Sequence, residues 1–184
     1  MKKSLLLFGF FLMCTCLSAQ TLLQKVYIDF GPAASPGLNT ASPDGNGNKW
    51  NNHTALTADA STALVNHLGV ASGLTLKNVN TCMANGGSTY GGLIAPTSAL
   101  LGDFAIANAT QDYFFVQNGL NGTNSSTIKI TGLNITKGYK FHIFGTRNSA
   151  DPIRISKYTL TGSIVTTGTL QTSGTNLGGM GYNG

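Results

Sequence analysis

Ser126-Thr127-Ile128-Lys129-Ile130-Thr131-Gly132-Leu133, followed after three residues by Lys137-Gly138-Tyr139-Lys140-Phe141-His142-Ile143-Phe144, is the stretch whose reading decides the fold class. Both halves alternate with a period of two, which fits a half-buried strand and not a helix. Ile128 and Ile130 share one face of the first half; Tyr139, Phe141 and Ile143 share one face of the second, leaving His142 toward solvent. Leu133 and Tyr139 stand six apart across the turn. That spacing matches the corner at which an antiparallel sandwich passes its chain between sheets, with the tyrosine hydroxyl bonding back to the backbone.

Working outward, strand signals dominate. Lys25-Val26-Tyr27-Ile28-Asp29-Phe30 alternates, with Val26, Ile28 and Phe30 on one face and Tyr27 and Asp29 on the other. Gly31-Pro32 ends it, and residues 31–54 read as a long polar loop closing on Trp50-Asn51-Asn52. Asp59–Leu68 fits either a short helix capped by Asp59 or a strand through Ala63-Leu64-Val65, the strand being preferred. Residues 73–79 alternate as a strand, 85–92 read as a flexible glycine loop, and Ser98–Leu101 as one helical turn. Asp112–Val116 reads as a buried strand, and residues 153–160 and 163–171 as two more. Residues 171–184 form a glycine-rich loop with no strand after it, so a late strand that would cover the first one is expected beyond Gly184.

Composition agrees. The 184 residues include 24 glycines, only 9% are charged, and all six acidic residues are Asp. Long surface helices and coiled coils, which need Glu, Lys and Arg for their solvated faces, are excluded, as is charge-driven disorder. The expected fold is all-β: one antiparallel β-sandwich over residues 20–184.

Residues 1–19 read as a signal peptide. Lys2 and Lys3 precede the apolar run Leu5–Cys16, and Leu17-Ser18-Ala19 is a small-residue cleavage site. The run is too short to span a bilayer, which takes about 20 apolar residues, and no later segment does better. Cys14 and Cys16 lack the small preceding residue that a lipid anchor wants. The expected location is therefore secreted, extracellular or at the cell surface. With the leader gone, 9 basic residues face 6 acidic ones, scattered without an aromatic-lined basic patch, so no nucleic acid is expected. Cys82 is then the single thiol and is expected buried and inert, with no internal disulfide available.

Several segments together carry a resemblance. Tyr27-Ile28-Asp29-Phe30-Gly31, Ser42–Asn52, Leu101-Gly102-Asp103-Phe104-Ala105, Tyr139–Asn148 and Leu170–Gly174 resemble an extracellular bacterial β-sandwich module. It is similar to malectin-like and galactose-binding-like jelly rolls. The resemblance implies a jelly roll lacking its last strand, an N-terminal piece of a longer secreted protein, and attachment to polysaccharide-active enzymes, esterases or adhesins. A sugar site on such a fold would use an aromatic face with Asn, Asp and Arg around it. Trp50, Asn51, Asn52, Tyr113, Arg147 and Asn148 have the right chemistry, Trp50 being the candidate for stacking. Against this stand a Trp50 that merely plugs the sandwich edge and an Arg147 that pairs with Asp151.

Asp44, Asn46 and Asn48 occupy positions one, three and five of a calcium-loop spacing. Lys49 stands where glycine is required and Ala55 where a closing Glu is required, so an EF-hand is excluded. A looser calcium loop or a solvated turn remains, with calcium as the one cofactor candidate. Catalysis finds little footing. Carboxylate pairs must be Asp pairs, for which Asp29 and Asp103 are the candidates. His53, His67 and His142 lack metal spacing, and there is no nucleophile elbow or phosphate loop. The resulting expectation is a non-catalytic module that binds a glycan or cell-surface polymer, with further domains C-terminal to it. The alternatives are the targeting part of an esterase or glycosidase whose catalytic domain follows Gly184, and a ligand-free structural or adhesin segment.

Overall fold

The computed structural model describes residues 24–33, 39–87, 91–117, 124–149 and 153–174; residues 1–23 and those beyond 174 lie outside them. The described residues are mostly strands with a few short helical turns. In chain order they are β1 (Tyr27–Phe30), β2 (Trp50–His53), β3 (Ser61–Val65), β4 (Ala71–Asn78) and β5 (Met83–Gly86). Then come α1 (Ser98–Leu101), a 3-10 turn (Gly102–Phe104), α2 (Ala107–Thr110), β6 (Asp112–Phe115), β7 (Ile128–Thr131), β8 (Arg154–Thr161) and β9 (Val165–Ser173). The strands pair as β1–β2, β3–β4–β7, β5–β6 and β8–β9. All of these pairs are antiparallel except β1–β2, which is parallel with Tyr27 opposite Trp50 and Phe30 opposite His53. The all-β expectation holds at this level, while the purely antiparallel one is corrected. Two strands that follow each other in parallel need a long crossover, and the polar segment after Gly31 supplies it.

Few of the described large apolar side chains are buried, and the core is correspondingly mixed. Tyr27, Trp50, Leu64, Leu76 and Cys82 are buried beside Asn51, His53, Asn66 and Asn78. The polar members are held by bonds to backbone or to one another, as burial requires. Asn78 Nδ2 donates to the carbonyls of Ala55 (2.7 Å) and Thr57 (3.3 Å), which leaves its Oδ1 to accept from His53 Nε2 at 3.0 Å. His53 Nδ1 then meets the Thr62 hydroxyl at 2.7 Å. Asn66 accepts from the amides of Leu68 and Val70, shaping the turn between β3 and β4. Cys82 is free and buried, 3.0 Å from Ser126 Oγ.

The first strand divides into the two faces its alternation gives. Tyr27 and Asp29 are the buried residues, while Ile28 and Phe30 are only half-buried. Both faces of β1 are in fact covered. Phe30 packs edge-on to His53 and against Phe114, whereas Tyr27 stacks on Trp50 with ring centroids 5.0 Å apart. Alternation assigns two faces but does not say which one finds polar partners.

The deciding stretch divides. β7 forms and pairs with β4, but residues 138–149 run without a ladder partner among the described residues. Tyr139, Phe141 and Ile143 are all more than two-fifths exposed. The corner bond is nevertheless made: the amide of Asn134 donates to Tyr139 Oη at 2.7 Å. His142 is exposed as expected.

Candidate functional site

Trp50 begins β2 and is 4% exposed. One face of its indole stacks on Tyr27, and Nε1 donates to Asp44 Oδ2 at 2.8 Å. Asp44 accepts further bonds from the amides of Asn46 and Asn48, both at 2.8 Å, and from Asn48 Nδ2 at 3.4 Å. Burial pulls the Asp44 carboxyl up, but the bonds from Trp50 and from Asn46 and Asn48 outweigh it and hold it below the usual carboxylate range. The Asp-x-Asn-x-Asn spacing thus closes a hydrogen-bonded loop around a carboxylate whose two oxygens already have donors.

Asn51 and Asn52 act on backbone. Asn51 Nδ2 donates to the carbonyls of Tyr27 (2.8 Å) and Val65 (2.9 Å), and its Oδ1 accepts from Val65 N at 2.8 Å. One side chain therefore ties β1 to β3 across β2. Asn52 clamps Thr40, accepting from its amide at 2.9 Å and donating to its carbonyl at 2.9 Å.

Tyr113 lies on β6, opposite Asn85 of β5, with Phe115 opposite Met83. Directly opposed residues of an antiparallel pair share a face, so these four stand on one side of the ribbon. Phe114 lies on the other side, against Phe30 and His53, which makes the Tyr113 face the outer one. Tyr113 and Phe115 are half-buried, with ring centroids 5.8 Å apart in an edge-to-face arrangement. Met83 and Asn85 escape the sequence reading, in which Asn85 opens a glycine loop and no strand is read immediately before it. The doublet Phe114-Phe115 also conceals which phenylalanine faces outward.

Arg147 and Asn148 follow the buried Thr146. The Arg147 amide bonds the Thr172 carbonyl at 2.6 Å, and the Asn148 amide bonds the Gly91 carbonyl at 2.7 Å. Gly92 in turn donates to the Gln111 carbonyl at 2.9 Å, so Asn148 is linked to the start of β6. A cleft of about 70 Å³ here is lined by Gly92, Leu93, Ile94, Thr146 and Asn148. It falls well short of the roughly 300 Å³ at which enclosing small-molecule pockets begin. Asp151, the alternative partner of Arg147, lies outside the described residues.

The acidic residues pair differently from the sequence expectation. Asp103 is bound by Lys25 Nζ and by the Tyr27 hydroxyl, at 2.5 and 2.7 Å, and these two donors hold its carboxyl low. Asp29 instead faces Asp112. Both are buried, 4% and 6% exposed, and their carboxyls lie against each other. Burial and then the negative Asp29 push Asp112 up to about 8; burial pushes Asp29 up as well. A pair this enclosed has no open face to offer a substrate. Among the described residues no group of three or more His, Cys, Asp or Glu side chains converges on one point, and no helix is long and apolar enough to cross a membrane.

Comparison with protein-family models, with curated proteins and with solved structures returns no match, so the resemblance to malectin-like and galactose-binding-like modules rests on its quoted motifs alone.

Proposed function

We propose that the chain is a secreted, non-catalytic β-sandwich module of jelly-roll type that binds a glycan or cell-surface polymer as an accessory part of a multidomain protein. The observation that supports this is the outer face of the β5–β6 ribbon. It presents the half-buried Tyr113 and Phe115 rings on the same side of the ribbon as Asn85. The apolar face of a pyranose packs on such rings while its hydroxyls meet an amide, and no acid or base is required. Arg147 and Asn148, at the loop tied to the start of β6, are the neighbouring polar contributors. Trp50, closed in by Tyr27 and Asp44, serves this reading as an anchor of the scaffold instead of a stacking platform.

The test is affinity electrophoresis through gels containing soluble polysaccharides, with wild type and Tyr113→Ala run side by side. Retardation of wild type by at least one polymer, lost in a variant with unchanged melting, is the expected result. Equal retardation of both proteins would reject the Tyr113 face. Absence of retardation in every polymer would reject the glycan reading and leave the ligand-free structural segment.

A further inference from the structure

We propose that Asp29, Asp112 and Thr40 form a buried cation site and that its occupant is calcium. Four buried oxygens of these residues have no hydrogen-bond partner: Asp29 Oδ1, both carboxyl oxygens of Asp112, and Thr40 Oγ1. All three residues are more than nine-tenths buried, at 4%, 6% and 2% exposure in that order. They come from separate parts of the chain. Asp29 is on β1, Asp112 opens β6, and Thr40 sits in the crossover, placed by its own amide bonds to Asp29 Oδ2 (3.0 Å) and Asn52 Oδ1 (2.9 Å). The Thr40 hydroxyl lies beside the Asp29 carboxyl, which the Thr40 amide also holds.

Two occupants fit a carboxyl pair, and counting separates them. A single shared proton joins one oxygen of each carboxyl, so two of the four oxygens stay orphaned and one negative charge stays buried. The two ion pairs among the described residues, Lys25–Asp103 and Lys77–Asp59, involve neither carboxyl, so neither offers that charge a partner. An uncompensated buried carboxylate is costly enough that proteins avoid it. A divalent cation neutralises both carboxylates and takes all four oxygens as ligands. The donors are all hard oxygens, which favours magnesium- or calcium-type sites over zinc- and copper-type ones. Magnesium demands near-ideal octahedral geometry, whereas calcium accepts irregular carboxylate and hydroxyl coordination. Gly31 makes room for the arrangement: a Cβ there would stand 1.6 Å from Asp112 Oδ2. The site is distinct from the Asp44 loop, whose carboxylate already holds its donors.

The experiment is thermal unfolding of the full chain in EDTA and in excess calcium chloride, with calcium titrated by calorimetry into wild type, Asp112→Asn and Thr40→Val. Wild type is expected to bind one calcium. It should melt on the order of 5–10 °C higher in calcium at about a hundred times the dissociation constant. Asp112→Asn, which keeps the shape and supplies its own N–H to Asp29, should lose the calcium response. Thr40→Val, a milder change, should weaken calcium about tenfold or more while remaining folded. Identical wild-type melting in EDTA and calcium, with no heat of binding, would overturn the proposal in favour of a shared proton. A calcium response retained in both variants would place the ion elsewhere and overturn it equally.

Discussion

Trp50 donates its indole N–H to Asp44 at 2.8 Å, and this bond joins the only tryptophan to the loop that precedes it. The indole is held between that carboxylate and the Tyr27 ring, so its loss removes core volume and leaves Asp44 short of a donor. Trp50→Ala is expected to cost about 3–5 kcal/mol in urea unfolding. Trp50→Phe keeps most of the stacking and should cost clearly less. Any ligand-binding loss in Trp50→Ala must therefore be read beside its melting curve.

Asp44 makes the acid limb of stability testable. Its folded carboxyl titrates below the unfolded one, so its contribution is present above the unfolded value near 4 and is lost as pH falls through the lower folded value. Wild type should lose stability across that window. Asp44→Asn should be less stable at neutral pH by about 1–3 kcal/mol, because its amide turns a donor toward donors. It should also show a shallower decline on acidification. Urea midpoints measured at a series of pH values distinguish the two, and parallel curves would show that Asp44 is not the group responsible.

Asn51 replaces part of a strand ladder. Removing it in Asn51→Ala leaves the Val65 amide and the carbonyls of Tyr27 and Val65 without their partner. The expected cost is about 3 kcal/mol, larger than for a typical surface amide. Amide exchange at Val65 should accelerate in the variant before the whole molecule unfolds.

Gly31 and Asp112 form a coupled pair. Gly31→Ala is expected to destabilise by about 1–3 kcal/mol through overpacking against the Asp112 carboxyl. Combining it with Asp112→Ala should cost less than the sum of the single changes, because the second removes the atoms with which the first collides. Strict additivity in a double-mutant cycle would contradict the close approach.

Tyr139→Phe tests the corner. The Asn134 amide loses its acceptor but is exposed to water, so the cost should stay within about 1 kcal/mol. A much larger loss would mean that the hydroxyl organises more than this one turn.

The positions of β3, β4, β6, β7, β8 and β9 were legible because each carries alternation or a β-branched or aromatic run bounded by turn residues. β2 and β5 were not. Trp50-Asn51-Asn52-His53 and Met83-Ala84-Asn85-Gly86 are built from residues that local rules assign to loops. β2 becomes a strand because Asn51 and His53 are bonded from outside, and β5 because β6 pairs with it, which no local pattern records. The same limit governs the site. Tyr113 was legible as an aromatic on a strand, but its companions Phe115 and Asn85 depend on the β5–β6 register. The choice of Asp112 over Asp103 as the partner of Asp29 depends on β1 lying beside β6. Asp44 was legible as a polar loop centre; that its ligands are the indole and amides of its own loop was not.

The parallel pairing of β1 with β2 bears on how the chain reaches this structure. Tyr27 meets Trp50 only when the long interval between them is closed, and Thr75 meets Thr131 across a still longer one. Such distant closures collect their reward late, whereas the β3–β4 and β8–β9 hairpins form from neighbours. Hairpins should therefore be protected from exchange early in refolding and the first strand last. During that interval the still unpaired β1 would be the segment most exposed to capture by another chain.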